Sequence, residues 1–460
     1  MTADIVDLEA RVVALERRLA VLEGEKAESV RKAEERASTP RGDGFATTAS
    51  TNIGRVLLIF GGAYLLRAIT DYGFVPTALG LLLGAGYAVF WLVMAWRRGG
   101  NEADRIKAEF FGGTSVLLCL PLLYEAATRF ALLPGTAAVV ALAVYWALAL
   151  ATATRHRLTV LAWMTTAGSI AVAIGLLAVA RAAVPVAAFL IVLGLGTLWA
   201  VYRRDWLGLA WLGALGANAG VGALAALSLS DRWPIPPALA FGFAVALLLS
   251  YLANITFYTH VRGRLVNVLE TVQTAVAGLI VLAAALVAVR AGDLGMQTVG
   301  IMGILLGAGG YGLAIARETR TLRYPNFFYY STFGLVFLLV GTGILLPIAW
   351  SSVIWALLAI MMAYFSSRAG WVSLSLQCTI LLVAASAASG LLKTGLESLV
   401  GNPANDWAVV TFPHVVVALA TVVCLFIPVA QHSERWGKLA GLPQLIVLTL
   451  SVWSVGGLFI

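Results

Sequence analysis

The stretch NIGRVLLIFGGAYLLRAIT, residues 52–70, is the first long apolar run of the chain and follows a hydrophilic head. An α-helix of about 20 apolar residues crosses the roughly 30 Å hydrocarbon core of a bilayer. The pattern therefore predicts a first membrane span here. The side on which this span starts decides where the head and every later loop lie.

Composition supports the same environment for the rest of the chain. Hydrophobic residues make up 60% and charged residues 12%, with a mean hydropathy of +0.91. Soluble domains carry about 25% charged residues. The apolar runs are long and do not alternate with polar residues, which favours helices over a β-barrel. We predict an all-α, polytopic transmembrane helix bundle over residues 51–460.

About fifteen spans can be placed on the apolar runs. They are 53–70, 76–96, 110–128, 134–154, 158–179, 184–202, 206–228, 236–258, 266–288, 297–315, 326–346, 348–366, 372–392, 408–429 and 442–458. The last is short for a bilayer, and its completeness is left open.

The loops between these spans predict the orientation, because basic loops stay cytoplasmic. The even-numbered loops are rich in basic residues: Arg97, Arg98, Arg105, Lys107, Arg155, Arg157, Arg203, Arg204, Arg262, Arg264, Arg317, Arg320, Arg323, Arg368, Arg435 and Lys438. The odd-numbered loops hold only Arg67, Arg129, Arg181, Arg232, Arg290 and Lys393. The N-terminus is thus predicted to be cytoplasmic.

The head divides into a helix over residues 1–37 and a flexible linker over 38–50 rich in small residues. Apolar residues follow the alternating spacing of a coiled-coil seam: Ile5, Leu8, Val12, Leu15, Leu19 and Leu22. In a parallel pair Arg11 and Arg18 face Glu16 and Glu23, which favours a homodimer through residues 5–22. A single helix docked on a partner or on the protein's own loops is the alternative.

Several familiar functional signals are absent or better explained by the membrane. The net charge of +8 reflects the basic loops. The sequence contains no compact basic domain of the kind that binds nucleic acid, so nucleic-acid binding is not predicted. Gly307, Gly309, Gly310 and Gly312 match a dinucleotide motif, but no strand precedes them, so helix packing is the interpretation. No catalytic, cofactor or metal site is predicted.

Ionisable residues near predicted span ends are the candidates for a cavity or substrate site, because burying charge in a membrane is costly. Arg67 with Asp71 and Glu125 with Arg129 are spaced four apart, so each pair shares a helix face. Lys393 with Glu397 repeats this spacing, while Arg181 has no acidic residue nearby. Pairing at the membrane surface and an outward-facing cavity both remain open.

Glu270 and His414 complete the candidates. Glu270 is predicted to lie well inside a span near the cytoplasmic side, where it either reaches back to Arg262 or Arg264 or carries protons. His414 lies near the outer end of its span. The outer loop 393–407 before it is a candidate lid or re-entrant segment, or a plain loop.

The first span also carries a family resemblance. A heptad head, a small-residue linker and the run "NIG…GGAYLLRAITDYGF" resemble the opening of a family of uncharacterised bacterial polytopic membrane proteins. The matching residues are Ile53, Gly54, Gly61 or Gly62, Arg67, Asp71 and Gly73. The resemblance implies a multi-pass protein of the bacterial plasma (inner) membrane, and it brings no catalytic residues with it.

The leading hypothesis for function is a transporter or flippase-like carrier of an amphiphilic or anionic cell-envelope substrate. A membrane scaffold that oligomerises through its coiled coil is the second. An integral-membrane transferase acting on a lipid-linked substrate, with Asp71, Glu125 or His414 in its site, is the third. Whether the chain is an enzyme stays uncertain, with a non-enzyme preferred.

Overall fold

The computed structural model describes residues 61, 72, 76–321, 324–400, 410–427 and 442–459. The predicted head (1–37), linker (38–50) and first span (53–70), with Arg67 and Asp71, lie outside the described residues. The described chain is helical throughout its regular elements. The prediction of an all-α polytopic bundle is confirmed.

Fifteen α-helices are described. They are α1 (Thr77–Gly99), α2 (Arg105–Thr128), α3 (Gly135–His156), α4 (Thr159–Ala180), α5 (Ala183–Arg204), α6 (Leu207–Leu227), α7 (Pro237–Thr256), α8 (Val268–Arg290), α9 (Met296–Thr321), α10 (Tyr324–Leu345), α11 (Ile348–Ala369), α12 (Val372–Ser389), α13 (Leu391–Val400), α14 (Phe412–Phe426) and α15 (Leu442–Phe459). In this part of the chain, twelve helices are long and apolar enough to cross a membrane. A helix occupies the position of each predicted span after the first.

The last two predicted spans correspond to shorter apolar helices. α14 has 15 residues, about 22 Å at 1.5 Å per residue, which is less than the predicted span 408–429. Thr411 caps its start, and the helix ends before Pro428, a residue that disfavours helix at the position before it. The loop predicted over 393–407 begins instead inside a further helix, α13.

The described helices fall into two compact units. Among the described residues, the first contains those up to Pro134 and Leu148–Gly168, and the second contains Gly135–Ala147 and those from Ser169 onward. In the first unit, α1 and α2 pack against each other, and the Ser115 hydroxyl donates to the Ala88 carbonyl at 2.7 Å. The Glu109 carboxylate accepts from the backbone of Leu161 at 2.8 Å and so caps α4.

The second unit is built from consecutive helix pairs: α5 with α6, α7 with α8, α9 with α10, and α11 with α12. Its interior is rich in small residues such as Ala217 and Ala277, whereas large residues such as Leu215 and Leu279 are exposed. This arrangement suits a lipid environment, because helices associate there through close packing of small residues.

The pair α9 and α10 shows the closest approach described. A Cβ atom on Gly303 would lie 2.8 Å from the Cα atom of Gly341, and one on Gly310 would lie 2.8 Å from the Cα atom of Gly334. Gly307 faces the backbone of Leu338 in the same way. These positions confirm helix packing as the role of Gly307 and Gly310 in the apparent dinucleotide motif.

Candidate functional site

The site begins at the start of α8, where Asn267 caps the helix. Its side-chain oxygen accepts from the Glu270 backbone at 2.9 Å, and the Glu270 carboxylate accepts from the Asn267 backbone at 2.9 Å. This reciprocal capping box satisfies two backbone donors that have no partner inside the helix. It also places Glu270 in the first turn of α8, so this residue lies at a helix end and not deep in a span.

Glu270 also connects α8 to α5. The Tyr202 phenol donates a short hydrogen bond to the Glu270 carboxylate. The Tyr202 ring stacks on Tyr258 with 3.6 Å between centroids, and the Arg264 guanidinium carbon lies 5.5 Å from the Tyr202 centroid. Both interpretations of Glu270 from the sequence, reaching back to Arg262 or Arg264 and carrying protons, stay predictions; what the structure shows is its carboxylate bonded to Tyr202 and to the Asn267 backbone.

The segment that leads into α8 is held by Asn326 near the start of α10. The Asn326 side chain accepts from the Val266 backbone at 2.9 Å and donates to the Arg264 carbonyl at 3.0 Å. Nearly two turns into α8, the Thr274 and Tyr329 hydroxyls are 2.6 Å apart. The starts of α8 and α10 are therefore joined by side chains.

A cleft of about 1170 Å³ lies between α8 and α10, somewhat larger than the usual 300–1,000 Å³ of ligand pockets. It extends along α8 from Asn267 to Leu282, about 22 Å at 1.5 Å per residue. Trp371 and Val372, at the start of α12, also line it.

The polarity of the cleft changes along its length. The lining side chains near the start of α8 include Asn267, Thr271, Thr274 and Tyr329. Farther along, the walls are apolar: Leu279, Leu282, Val336 and Phe337. A molecule that fits both parts has a polar end and an apolar body.

Arginines lie close in sequence to the polar end of the cleft, which we call the Arg-rich end. Arg262 and Arg368 are exposed and lie four and two residues before the lining residues Val266 and Gly370. None of the described lining residues is acidic, and the Glu270 carboxylate is bonded on the α5 side by Tyr202. Apart from Glu270, the charged residues nearest in sequence to this end of the cleft are therefore arginines.

The other predicted candidates in the second unit lie apart from this cleft. Arg181 is exposed in the turn before α5, whereas Tyr202, the partner of Glu270, is near the end of that helix. The intervening helix puts Arg181 about 30 Å from the Arg-rich end.

His414 is buried at the start of α14, where it acts as a cap. Its Nδ1 atom lies 2.6 Å from the Thr411 hydroxyl, and its Nε2 atom lies 3.4 Å from the Thr394 hydroxyl on α13. Thr394 lies just after the end of α12, whereas the Arg-rich end of the cleft is at the start of α12. His414 and the Arg-rich end are therefore at opposite ends of this helix. The structure therefore does not bring Arg181, Glu270 and His414 together.

The remaining pairs are on other helices. Glu125 and Arg129 lie at the end of α2 in the first unit, with Glu125 partly buried and Arg129 exposed. Lys393 and Glu397 form an ion pair at 3.6 Å on α13. Among the residues the structure describes, no group of three or more His, Cys, Asp or Glu side chains is arranged to hold a metal ion.

Sequence reasoning missed the roles of Asn267, Tyr202 and Tyr329. The spacing of Asn267 and Glu270 is a readable helix-start signal, since a capping residue followed three positions later by Glu is typical of a capping box. Nothing in the sequence pairs Tyr202 with Glu270, because 68 residues separate them.

One of the three comparisons with known proteins gives a match. The family described as "Predicted membrane protein (DUF2339)" matches residues 47–458. No curated protein and no solved structure matches the chain.

Proposed function

Because the chain belongs to this family of membrane proteins, we propose that it is a carrier of an anionic amphiphile, a lipid-like molecule that enters the cleft between α8 and α10. The single observation that carries the proposal is the change from polar to apolar lining along one open cleft. The proposal includes two predictions from the sequence: the protein lies in the inner membrane, and the Arg-rich end of the cleft faces the cytoplasm.

The dimensions of the cleft suit such a molecule. Its length of about 22 Å is more than half of the roughly 30 Å hydrocarbon core. A ligand with its headgroup at the Arg-rich end would extend its chain past the middle of the bilayer. Exposed lining residues such as Val268, Leu279 and Val336 would allow entry from the surrounding lipid.

The charge near the cleft favours an anionic headgroup. Arg262 and Arg368 supply positive charge, and Asn267, Thr271 and Tyr329 supply hydrogen-bonding groups for oxygen atoms. A zwitterionic headgroup brings a cationic group to the same arginines and should bind more weakly.

Filling the cleft tests this function. A Cβ atom on Gly278 would lie 3.6 Å from the Phe337 ring, an ordinary contact, so Gly278→Phe should fold and occupy the space of a ligand chain. The matched control is Gly309→Phe, since Gly309 has nothing within 4 Å of its Cβ position.

The first measurement is the thermal stability of the detergent-purified full chain with added phosphatidylglycerol or phosphatidylcholine. A ligand that binds only the folded state raises the melting temperature. We expect phosphatidylglycerol to raise it in the wild type and in Gly309→Phe, and not in Gly278→Phe. Equal shifts with both lipids, or an undiminished shift in Gly278→Phe, would contradict the proposal.

The second measurement addresses carriage. Liposomes containing the protein and a fluorescent phosphatidylglycerol are treated with an impermeant quencher, so that any loss of protected inner-leaflet signal reports movement between leaflets. Wild type and Gly309→Phe should speed this loss, and Gly278→Phe should not. If the wild type behaves like protein-free liposomes while binding is seen, the cleft binds lipid without carrying it.

A further inference from the structure

A pair of cysteines lies inside the second unit, one on α12 and one on α14. Cys378 is 3% exposed and Cys424 is 6% exposed, and both belong to one apolar cluster. Both thiols are free, and they are close enough to interact directly. The fold thus brings together two sulfur atoms from different helices.

The two cysteines border a small cavity between α11, α12, α14 and the start of α15. Its volume is about 20 Å³, enough for one water molecule or one ion, since a single water needs about 10–15 Å³. Packing alone accounts for many buried cysteines, but close-packed interiors leave few voids of this size. A void bordered by both cysteines is therefore a candidate binding site.

The hydroxyl groups around this cavity already have partners. Ser366 Oγ donates to the Trp371 carbonyl at 3.0 Å and lies 2.6 Å from Ser375 Oγ. The Thr379 hydroxyl donates to the Ser375 carbonyl at 2.9 Å. These groups need no water molecule to satisfy them, so the sulfur atoms are the groups that select an occupant.

The chemistry of the lining selects a soft cation. None of the described lining residues is His, Asp or Glu. Structural zinc sites use four ligands, and calcium and magnesium take oxygen ligands, so these ions do not suit two sulfur atoms. Sulfur ligands favour Cu(I), an ion that accepts two ligands on opposite sides.

We propose that Cys378 and Cys424 bind a soft monovalent metal cation, such as Cu(I), in this cavity. The cation forms one bond to each sulfur atom. One S–H bond breaks as it binds and the proton leaves to water, as is usual when thiols bind metals. The cation then meets one thiolate and one thiol, so the apolar cluster gains no net charge.

The cavity lies near one end of the helices that form it. Cys378 is six residues after the first residue of α12, about 9 Å at 1.5 Å per residue, and Cys424 is near the end of α14. Gln444, at the start of α15, also lines the cavity and is exposed, so an ion has a short way in. The start of α12 is on the predicted cytoplasmic side, where thiols stay reduced.

Metal retention by the purified full chain tests the inference. Cu(I), kept reduced with ascorbate under nitrogen, is added to the detergent-solubilised protein, and unbound copper is removed with a chelator and gel filtration. Wild-type protein should retain one copper ion per chain. Cys378→Ser and Cys424→Ser should each retain none, because either change removes one of the two sulfur ligands.

Two matched variants serve as controls. Cys119→Ser removes a buried cysteine on α2 in the first unit, and Thr379→Val changes a lining residue while keeping its size and both sulfur atoms. Both should retain one copper ion per chain. Loss of copper in these controls as complete as in Cys378→Ser would contradict a site formed by the cysteine pair.

Thermal stability gives a second readout. A metal that binds only the folded state raises the melting temperature, so Cu(I) should raise it in the wild type and in Thr379→Val, and not in Cys424→Ser. Zn(II) should give no comparable rise. The inference is overturned if the wild type retains no copper, if both cysteine variants retain as much as the wild type, or if Zn(II) stabilises as strongly as Cu(I).

X-ray absorption at the copper edge examines the site in the wild type alone, so the result does not depend on whether a cysteine variant folds. The bound copper should have two sulfur neighbours. A first shell of nitrogen and oxygen atoms, or of three or more sulfur atoms, would place the copper elsewhere and contradict the proposal.

Discussion

The Tyr202 phenol on α5 donates a hydrogen bond to the Glu270 carboxylate on α8, and so ties the end of one helix to the start of another. The same carboxylate caps its own helix through Asn267. One side chain therefore stabilises both a helix start and a contact between helices.

Tyr202→Phe should lower the thermal stability of the protein. Hydrogen bonds to carboxylates contribute about 1.5–3 kcal/mol, and the loss should reduce the melting temperature by several degrees. Tyr258→Phe is the control, because it keeps the ring that stacks on Tyr202. A Tyr202→Phe variant as stable as Tyr258→Phe would show that the Glu270 contact adds no stability.

Single alanines should distinguish the two faces of α9. Gly303→Ala places a Cβ 2.8 Å from the Gly341 Cα atom, and overpacking of this kind costs about 1–3 kcal/mol. Gly309→Ala meets nothing within 4 Å and should be neutral or slightly stabilising, since alanine favours a helix over glycine. Melting temperatures of the two variants in one detergent measure the difference, and equal values would argue against tight α9–α10 packing.

The predicted orientation can be checked by labelling introduced cysteines in intact cells with a membrane-impermeant thiol reagent. Cys119, Cys378 and Cys424 are buried, so background labelling should be low. Asp231→Cys lies in a predicted outer loop and should react, whereas Gly100→Cys lies in a predicted cytoplasmic loop and should react only after permeabilisation. The reverse pattern would place the N-terminus outside.

The predicted coiled coil makes the oligomeric state testable through charge. Arg11→Glu with Arg18→Glu should weaken a parallel dimer, because like charges then face each other. Adding Glu16→Lys and Glu23→Lys should restore it. The mass of the detergent-solubilised protein, with a variant lacking residues 1–37 as the monomer reference, measures both effects. A dimer that survives the deletion would locate the association elsewhere.

The helices were predictable because each long apolar run determines its own secondary structure in lipid. Local signals also sufficed for helix packing at Gly307 and Gly310 and for the ion pair Lys393–Glu397. The cleft was not predictable, since it depends on bringing Thr274 within reach of Tyr329, and these residues are 55 positions apart.

The glycine contacts of α9 also have a mechanical consequence for α10. The backbones of α9 and α10 are in direct contact at Gly303–Gly341 and at Gly310–Gly334. We therefore expect these two helices to move together as one rigid unit. Across the cleft, α8 meets α10 through side chains such as Thr274 and Tyr329, which can separate by rotation about single bonds. A bulky occupant would therefore widen the cleft by displacing α8, and Glu270 would move with it.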